Sequence, residues 1–426
     1  MTANRPVVDF DHHSPDYADN HPKINAELRE KCPVAWSENY KGFWVVSKYE
    51  DVANVSRDDD TFRSHNDQMV DPDGPDGYAG IQLPPAGFRS VPIEMDPPEF
   101  FDYRKLLNPY FSPAAAKRWT EYVEQSVEYF LDQISAEGSG DLVLDLAAPA
   151  PGLFTTALIG LPKEDWLKYA DPFHKIVAPQ ESEEFAEAVE GAMWVMTSLF
   201  EIVAERRENP QDDFISYLTR CQVGGELLDD QRVVEIVFLF IAGGVDTTTS
   251  LMGNAFIWLD QNRDIHRALL EDDDVMGKAV EEFLRYFSPV QTLARTVSGP
   301  CEFAGQQFSE LDRVLINLSS ANRDSEVFEN PEELDVTRFP NRHAAFGLGI
   351  HRCLGSNFAR ILITAMTRGV LRRLPDFKVD REKAERYQSI GTVNGWHRVP
   401  ATWTATPATG RSMPDPLPFV EVERKG

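Results

Sequence analysis

Cysteine is scarce in this 426-residue chain: Cys32, Cys221, Cys301 and Cys353 are all there is, and no two form a CxxC pair. That spacing argues against a zinc knuckle or a dithiol redox site. Scattered cysteines suit a reducing compartment, and three of them read as small core residues. Positive charge is also short: 42 Lys and Arg face 69 Asp and Glu, a net charge of −27. Nucleic acid and anionic membranes are therefore poor partners. Met1 to Phe10 lacks the apolar core of a secretory signal. No uninterrupted apolar run reaches a membrane span, since Val233–Val245 is broken by Glu235 and two glycines. These absences predict a cytoplasmic protein. Internal repeats and long low-complexity linkers are missing too. One domain over 1–426 is expected, because the motifs below are spread along the chain and must converge on a single site; a monomer is expected as well.

What is present is mostly helical spacing. Ser112–Gln133, Met193–Glu208, Asp274–Tyr286 and Asn357–Leu374 carry it. Strand-like stretches at Gly42–Ser47 and Arg313–Leu318 predict smaller β regions near 33–50, 290–320 and 376–405. Residues 71–98 are rich in Pro and Gly, the mark of a long loop, either an active-site cover or a passive excursion. The Pro-rich stretch 406–426 reads as a loosely packed tail.

The longest helical pattern runs from about Asp229 to Asn262, with two aspartates where free amides and the dipole favour them. A helix of roughly 33 residues is ~50 Å long. Its middle reads Ala242-Gly-Gly-Val-Asp-Thr-Thr-Thr249. Each glycine costs about 1 kcal/mol against alanine, and an acid sits in an otherwise apolar stretch. Such breaches of local rules mark functional places.

A second anomaly is Phe346-Gly-Leu-Gly-Ile-His-Arg-Cys-Leu-Gly355. Glycines let a loop pass close to a flat ligand. Inward amides and a following helix start stabilise a thiolate at Cys353. Taken alone, such a cysteine is more often a small core residue.

The whole pattern resembles the cytochrome P-450 haem signature FxxGxxxCxG at Phe346, Gly349, Cys353 and Gly355, with Gly347 between and Ala359 also matching. Other motifs follow in the family's order. Gly243-Gly-Val-Asp-Thr-Thr248 resembles [AG]GxDT[TS]. Glu282-Phe-Leu-Arg285 resembles ExxR, and Ala321-Asn-Arg-Asp324 through Arg338-Phe339 resembles the stretch giving that pair a third partner, Arg338. Pro33-Val-Ala-Trp-Ser-Glu-Asn-Tyr40, Asn341-Arg-His343 and Ser389-Ile-Gly-Thr-Val-Asn-Gly395 look like segments of the bacterial camphor and cineole monooxygenases.

The resemblance implies a mainly α fold with a smaller β-rich part and a long central helix over haem b. Cys353 would ligate the iron. His351, Arg295 and Arg104 would hold the propionates; where many members have a histidine four residues before that arginine, this chain has Phe100. Asp246 and Thr247 would deliver protons, Gly243 and Gly244 would make room for O2, and Glu282, Arg285 and Arg338 would form a structural ion triad. Substrate contacts would come from Val237, Phe240, Val245 and Thr248 on the helix, from Val290 and Leu293, from Thr392 and Val393, and from the 78–90 loop. That lining suits a small hydrophobic molecule, a terpenoid first.

Charge order adds a partner. Between Arg338 and Arg373 there are seven arginines and no acid. Arg352, Arg360, Arg368 and Arg372 would offer a basic patch to an acidic ferredoxin or flavodoxin carrying electrons from NAD(P)H. A plain solvated helix face is the other reading. Rival functions are a peroxide-using haem-thiolate peroxygenase, which needs no acid–alcohol pair, a gas-sensing haem protein, and a cofactor-free helical binding protein.

Overall fold

The computed structural model describes residues 5–65, 80–84, 89–178 and 181–422. The chain forms two compact units, each assembled from separate stretches.

The first unit takes in residues 1–101, 281–353 and 388–394. Its centre is a five-stranded sheet in the order Val34–Ser37, Phe43–Val46, Arg313–Asn317, Thr292–Val297, Phe62–Arg63. Val34 pairs with Val46 antiparallel, Leu315 with Val45 parallel, and Arg295 lies opposite Val314. The first two strands bury every residue. Both faces are therefore covered, which is why they read as continuous apolar runs. Trp36, Trp44, Phe62, Val297, Phe308 and Ile316 make the core around them.

The Pro/Gly-rich excursion belongs to this unit. Residues 66–79 and 85–88 lie outside the described residues, so the expected cover over 71–98 and the substrate loop at 78–90 are described only in part. The described pieces are clasped by one carboxylate. Glu94 accepts hydrogen bonds from the amides of Ile81 and Ser90, both at 2.7 Å. Arg313 donates to the carbonyls of Gly80 and Gln82 at 2.6 and 2.8 Å.

The second unit takes in 102–280, 354–387 and 395–426 and is chiefly helical. Helix Asp230–Gln261 starts where the sequence places it: Asp229 is the N-cap, its carboxylate accepting the amide of Arg232 at 2.8 Å. Within the unit it packs on helices Pro149–Ile159, Trp166–Lys175, Glu183–Glu208 and Ser356–Arg373. It is long and apolar enough to cross a membrane, yet 67% of its apolar window is buried, as in a core helix.

Several expectations need correction. The Ser112–Gln133 pattern is two helices, Pro113–Arg118 and Thr120–Ile134, divided at Trp119 (ψ −3°). The helix expected from Met193 starts at Glu183, capped by Ser182; its first turns are largely solvent-exposed and so lack the periodic apolar signal. Of the cysteines read as core, Cys221 is buried, whereas Cys32 and Cys301 are half-buried. The tail is irregular but not loose. Asp132 accepts the amides of Thr409 and Arg411 at 2.6 and 2.9 Å, Lys163 pairs with Asp415 at 2.6 Å, and Phe419 stacks on Tyr110 at 5.3 Å.

Candidate functional site

In the first unit, the loop around Cys353 closes on itself: the Cys353 amide donates to Phe346 O at 2.7 Å. Gly347 and Gly349 have φ of 71° and 72°, a conformation side chains disfavour. At Gly349 a Cβ would also lie 2.1 Å from the Ser56 carbonyl. The glycines thus let this turn sit hard against its own unit and leave the Cys353 side chain exposed. His351, two residues earlier, packs its ring 4.3 Å from that of Phe100. Phe346 is half-buried, 5.9 Å from the His343 ring. Gly355 is the N-cap of helix Ser356–Arg373, and the Ala359 amide bonds its carbonyl.

Arg295 is a deeply buried cation of this unit's sheet, 3% exposed. Burial pulls its guanidinium down to about 10 against the support of Asp96 and Glu94, so it stays charged at neutral pH. Among the described residues its one side-chain hydrogen bond goes to the Ala294 carbonyl, at 2.8 Å. An arginine has five donors, so this one is equipped for an anionic partner. An exposed thiol on a glycine turn and a buried arginine with spare donors are what a haem needs for its iron and a propionate. Arg104 lies in the last turn of helix Glu99–Leu107, half-buried.

Glu282 and Arg285 sit one turn apart at 0% exposure. Arg338 Nε lies 3.1 Å from both Glu282 oxygens, and Asn341 and the Asp335 amide complete the carboxylate at 2.9 Å each. Arg285 uses all five donors: two on Glu282, the others on the carbonyls of Asn322, Pro331 and Glu333.

The substrate-contact candidates of this unit come together. Val290 bridges Val393, and the Gln291 amide bonds Thr392 O at 3.0 Å. Val290, Leu293, Thr392 and Val393 are all half-buried.

In the second unit, Thr247 Oγ1 donates to the Gly243 carbonyl one turn back at 2.9 Å. Gly243 is exposed, and a Cβ there would meet nothing within 4 Å. Gly244 differs: its Cβ would come 2.9 Å from Thr155 Oγ1, so this glycine serves helix packing. The accessible stripe of the helix runs Leu239, Gly243, Thr247, at i, i+4, i+8. Val237, Val245 and Thr248 face away from it and are 0%, 1% and 5% exposed. They are core, which corrects their assignment to substrate. Phe240 is half-buried, its ring in an aromatic cluster with Phe111 and Phe214, at 5.0 and 5.9 Å. Leu239, which counting back by fours from Thr247 finds, is not among the expected contacts but shares the stripe.

Asp246 is buried mid-helix and accepts from Tyr387 Oη at 2.7 Å, lies 3.1 Å from His174 Nδ1, and has Ser250 Oγ at 3.4 Å. Burial alone would lower the His174 pKa; the bond and charge of Asp246 and a backbone bond at His397 outweigh it, so the net shift is upward. Burial, then the Asp246 charge, drives Tyr387 well above 10. Neither His174 nor Tyr387 stands in a recognisable motif; Ser250, one turn after Asp246, was the single partner that spacing could offer.

Of the four patch arginines, Arg352 and Arg372 are exposed. Arg360 donates to Ser356 O at 3.1 Å, and Arg368 is paired with Asp273 at 2.5 Å.

The family model described as Cytochrome P450 matches residues 154–393. A Steroid C26-monooxygenase of Mycobacterium tuberculosis is 31% identical over 90% of this chain and 94% of its own. A Mycobacterium marinum cytochrome P450 solved with pseudoionone superposes with a TM-score of 0.82 at 28% identity, covering 95% of this chain and all of that one. A Bacillus megaterium cytochrome P450 solved with testosterone gives 0.79 at 27% identity, over 92% of this chain and all of that one.

Proposed function

This chain belongs to the cytochrome P450 family, and from that premise we propose that it is a cytoplasmic, monomeric haem-thiolate monooxygenase for a small hydrophobic substrate, a terpenoid first. Cys353 would be the iron ligand, and Arg295, His351 and Arg104 would meet the propionates. When bound, the haem supplies reductive activation of O2: one oxygen atom enters a substrate C–H bond, the other leaves as water, and two electrons and two protons are consumed.

The protein's part is to orient the substrate and supply those protons. Val290, Leu293, Thr392 and Val393 offer a half-buried apolar wall, and Leu239 adds another apolar side chain on the accessible stripe. Thr247 holds its hydroxyl on the Gly243 carbonyl, its oxygen free to accept from a second donor. Asp246, one residue away, is the acid behind it. Gly243 leaves open space on that stripe, as an O2-sized reactant requires. Electrons would arrive from a ferredoxin- or flavodoxin-type donor docked by Arg352, Arg360 and Arg372; Arg368 adds less, being paired with Asp273.

The observation that carries the reading is Asp246 itself, a carboxylate held in mid-helix by Tyr387 and His174 beside an alcohol. A peroxygenase or a gas sensor needs no such acid. A steroid is the second substrate reading, favoured by the similarity to Steroid C26-monooxygenase.

The test is spectroscopic. Dithionite-reduced protein under carbon monoxide is expected to show the strongly red-shifted Soret band of thiolate ligation, lost in Cys353→Ala. A band typical of histidine ligation overturns the assignment. Terpenoids and steroids are then titrated into ferric protein, and the class that displaces the water ligand at the lower concentration decides the substrate.

A further inference from the structure

A donor that gives up protons must be refilled, and Asp246 is buried. Among the described residues, three side chains of the second unit touch its carboxylate: Tyr387, Ser250 and His174. Tyr387 holds its proton, and a serine hydroxyl does not ionise near neutrality. His174 is the one of the three that changes charge in the physiological range.

His174 comes from helix Trp166–Lys175, Tyr387 from beside strand Glu385–Arg386, and the His397 backbone from strand Trp396–Arg398. Three separate elements thus converge on one carboxylate of the long helix. His174 meets an acceptor on Asp246 and a backbone bond at His397, a setting that suits an imidazolium with both nitrogens donating.

We propose that His174 reloads Asp246 with each proton that Asp246 passes on, while Tyr387 keeps the carboxylate in register. His174 and Tyr387 are positioning residues, acting on the reaction through Asp246; the proposal rests on the reading of Asp246 as the proton donor. In the step, the Nδ1–H bond of His174 breaks and an O–H bond forms on Asp246 Oδ1. Imidazolium and carboxylate become neutral imidazole and carboxylic acid, and no electrons change hands. The proton lost from Nδ1 is restored from solvent, and a second imidazole stands nearby, that of His397. That ring lies 6.3 Å from His174 and 4.5 Å from Tyr387. Its two nitrogens have no hydrogen-bond partner among the described residues. Exposed Glu184 and Glu385 act on it, burial and the His174 charge keep it neutral, and Asp171 faces His174 from its own helix.

Two measurements on haem-loaded protein decide this. Hydrogen–deuterium exchange at histidine C2, read by mass spectrometry, gives each histidine's midpoint. His174 is expected above 6.5 in the parent and below it in Asp246→Asn; a parent midpoint at or below 6.5 overturns the proposal. Next, oxygen-dependent oxidation of reduced nicotinamide is followed with a surrogate ferredoxin and its reductase, in H2O and D2O. His174→Gln is expected to slow it about tenfold or more, to raise the solvent isotope effect, and to abolish the fall in rate above the His174 midpoint. A slow Asp246→Asn beside a His174→Gln of parental rate overturns the proposal and leaves the acid–alcohol reading standing. Parental rates in both overturn that reading, and this proposal with it.

Discussion

Arg285 grips Glu282 through two hydrogen bonds, Nε to Oε2 at 2.8 Å and Nη2 to Oε1 at 2.7 Å, and neither side chain has any exposed surface. A buried ion pair is not in itself a large source of stability, because desolvation offsets much of its attraction. This one is fully satisfied, and its remaining bonds reach residues 322, 331, 333, 335, 338 and 341. It therefore fixes the irregular chain that leads up to the Cys353 loop.

Breaking one partner leaves a buried charge alone. Glu282→Gln is expected to cost about 3–5 kcal/mol, and Arg285→Leu a similar amount. Urea unfolding of each variant measures this. A loss under about 1 kcal/mol, the range of an exposed pair, would show that the triad carries no structural weight.

The paired glycines of the long helix separate packing from function. Gly243→Ala meets empty space and gains helix propensity, so it should raise stability by up to about 1 kcal/mol. Gly244→Ala drives a methyl toward Thr155 and should cost about 1–3 kcal/mol. Thermal melting ranks the two. If Gly243 is there to admit O2, the more stable Gly243→Ala is also the slower enzyme.

Arg295→Met tests the propionate assignment. The substitution keeps an unbranched apolar stem on the strand and removes the cation. Protein expressed with excess haem should fold, since the guanidinium's one hydrogen bond among the described residues goes to its neighbour's carbonyl. Haem occupancy, read as the ratio of Soret to protein absorbance, should fall, and haem transfer to apomyoglobin should quicken about tenfold. Unchanged transfer would remove Arg295 from the haem site.

The legible parts of this chain were those where chemistry forces a local signature. The turn at Cys353 needs glycines at 347 and 349 because φ is positive there. The long helix announces its start through the Asp229 cap. Facing was harder: Val237 and Val245 looked like lining because they are apolar and flank the motif, yet the accessible stripe falls on Leu239, Gly243 and Thr247. Motif proximity does not say which side of a helix is open; the i, i+4 count does. The partners of Asp246 were illegible for another reason. His174 and Tyr387 lie 72 and 141 residues away, and a contact made by tertiary folding leaves no spacing to read.

The same histidines shape stability against pH. His174 has a folded pKa above 6.5, because the Asp246 bond and charge outweigh burial. Its contribution is complete below pH 6.5, where the unfolded imidazole is also charged, and is lost as pH rises through the folded value. His12, His13, His266 and His397 are shifted down, chiefly by burial, His12 to about 3. Below pH 6.5 the unfolded chain takes up protons that these folded sites refuse, so acid lowers stability. The histidines together place a stability maximum near pH 6.5. His174→Gln should flatten the alkaline side and leave the acid side as it was. His12→Gln should do the reverse. Urea unfolding between pH 5 and 8.5 checks both. If His174→Gln lowers stability equally at every pH, His174 is held only by packing, and its link to Asp246 carries no proton.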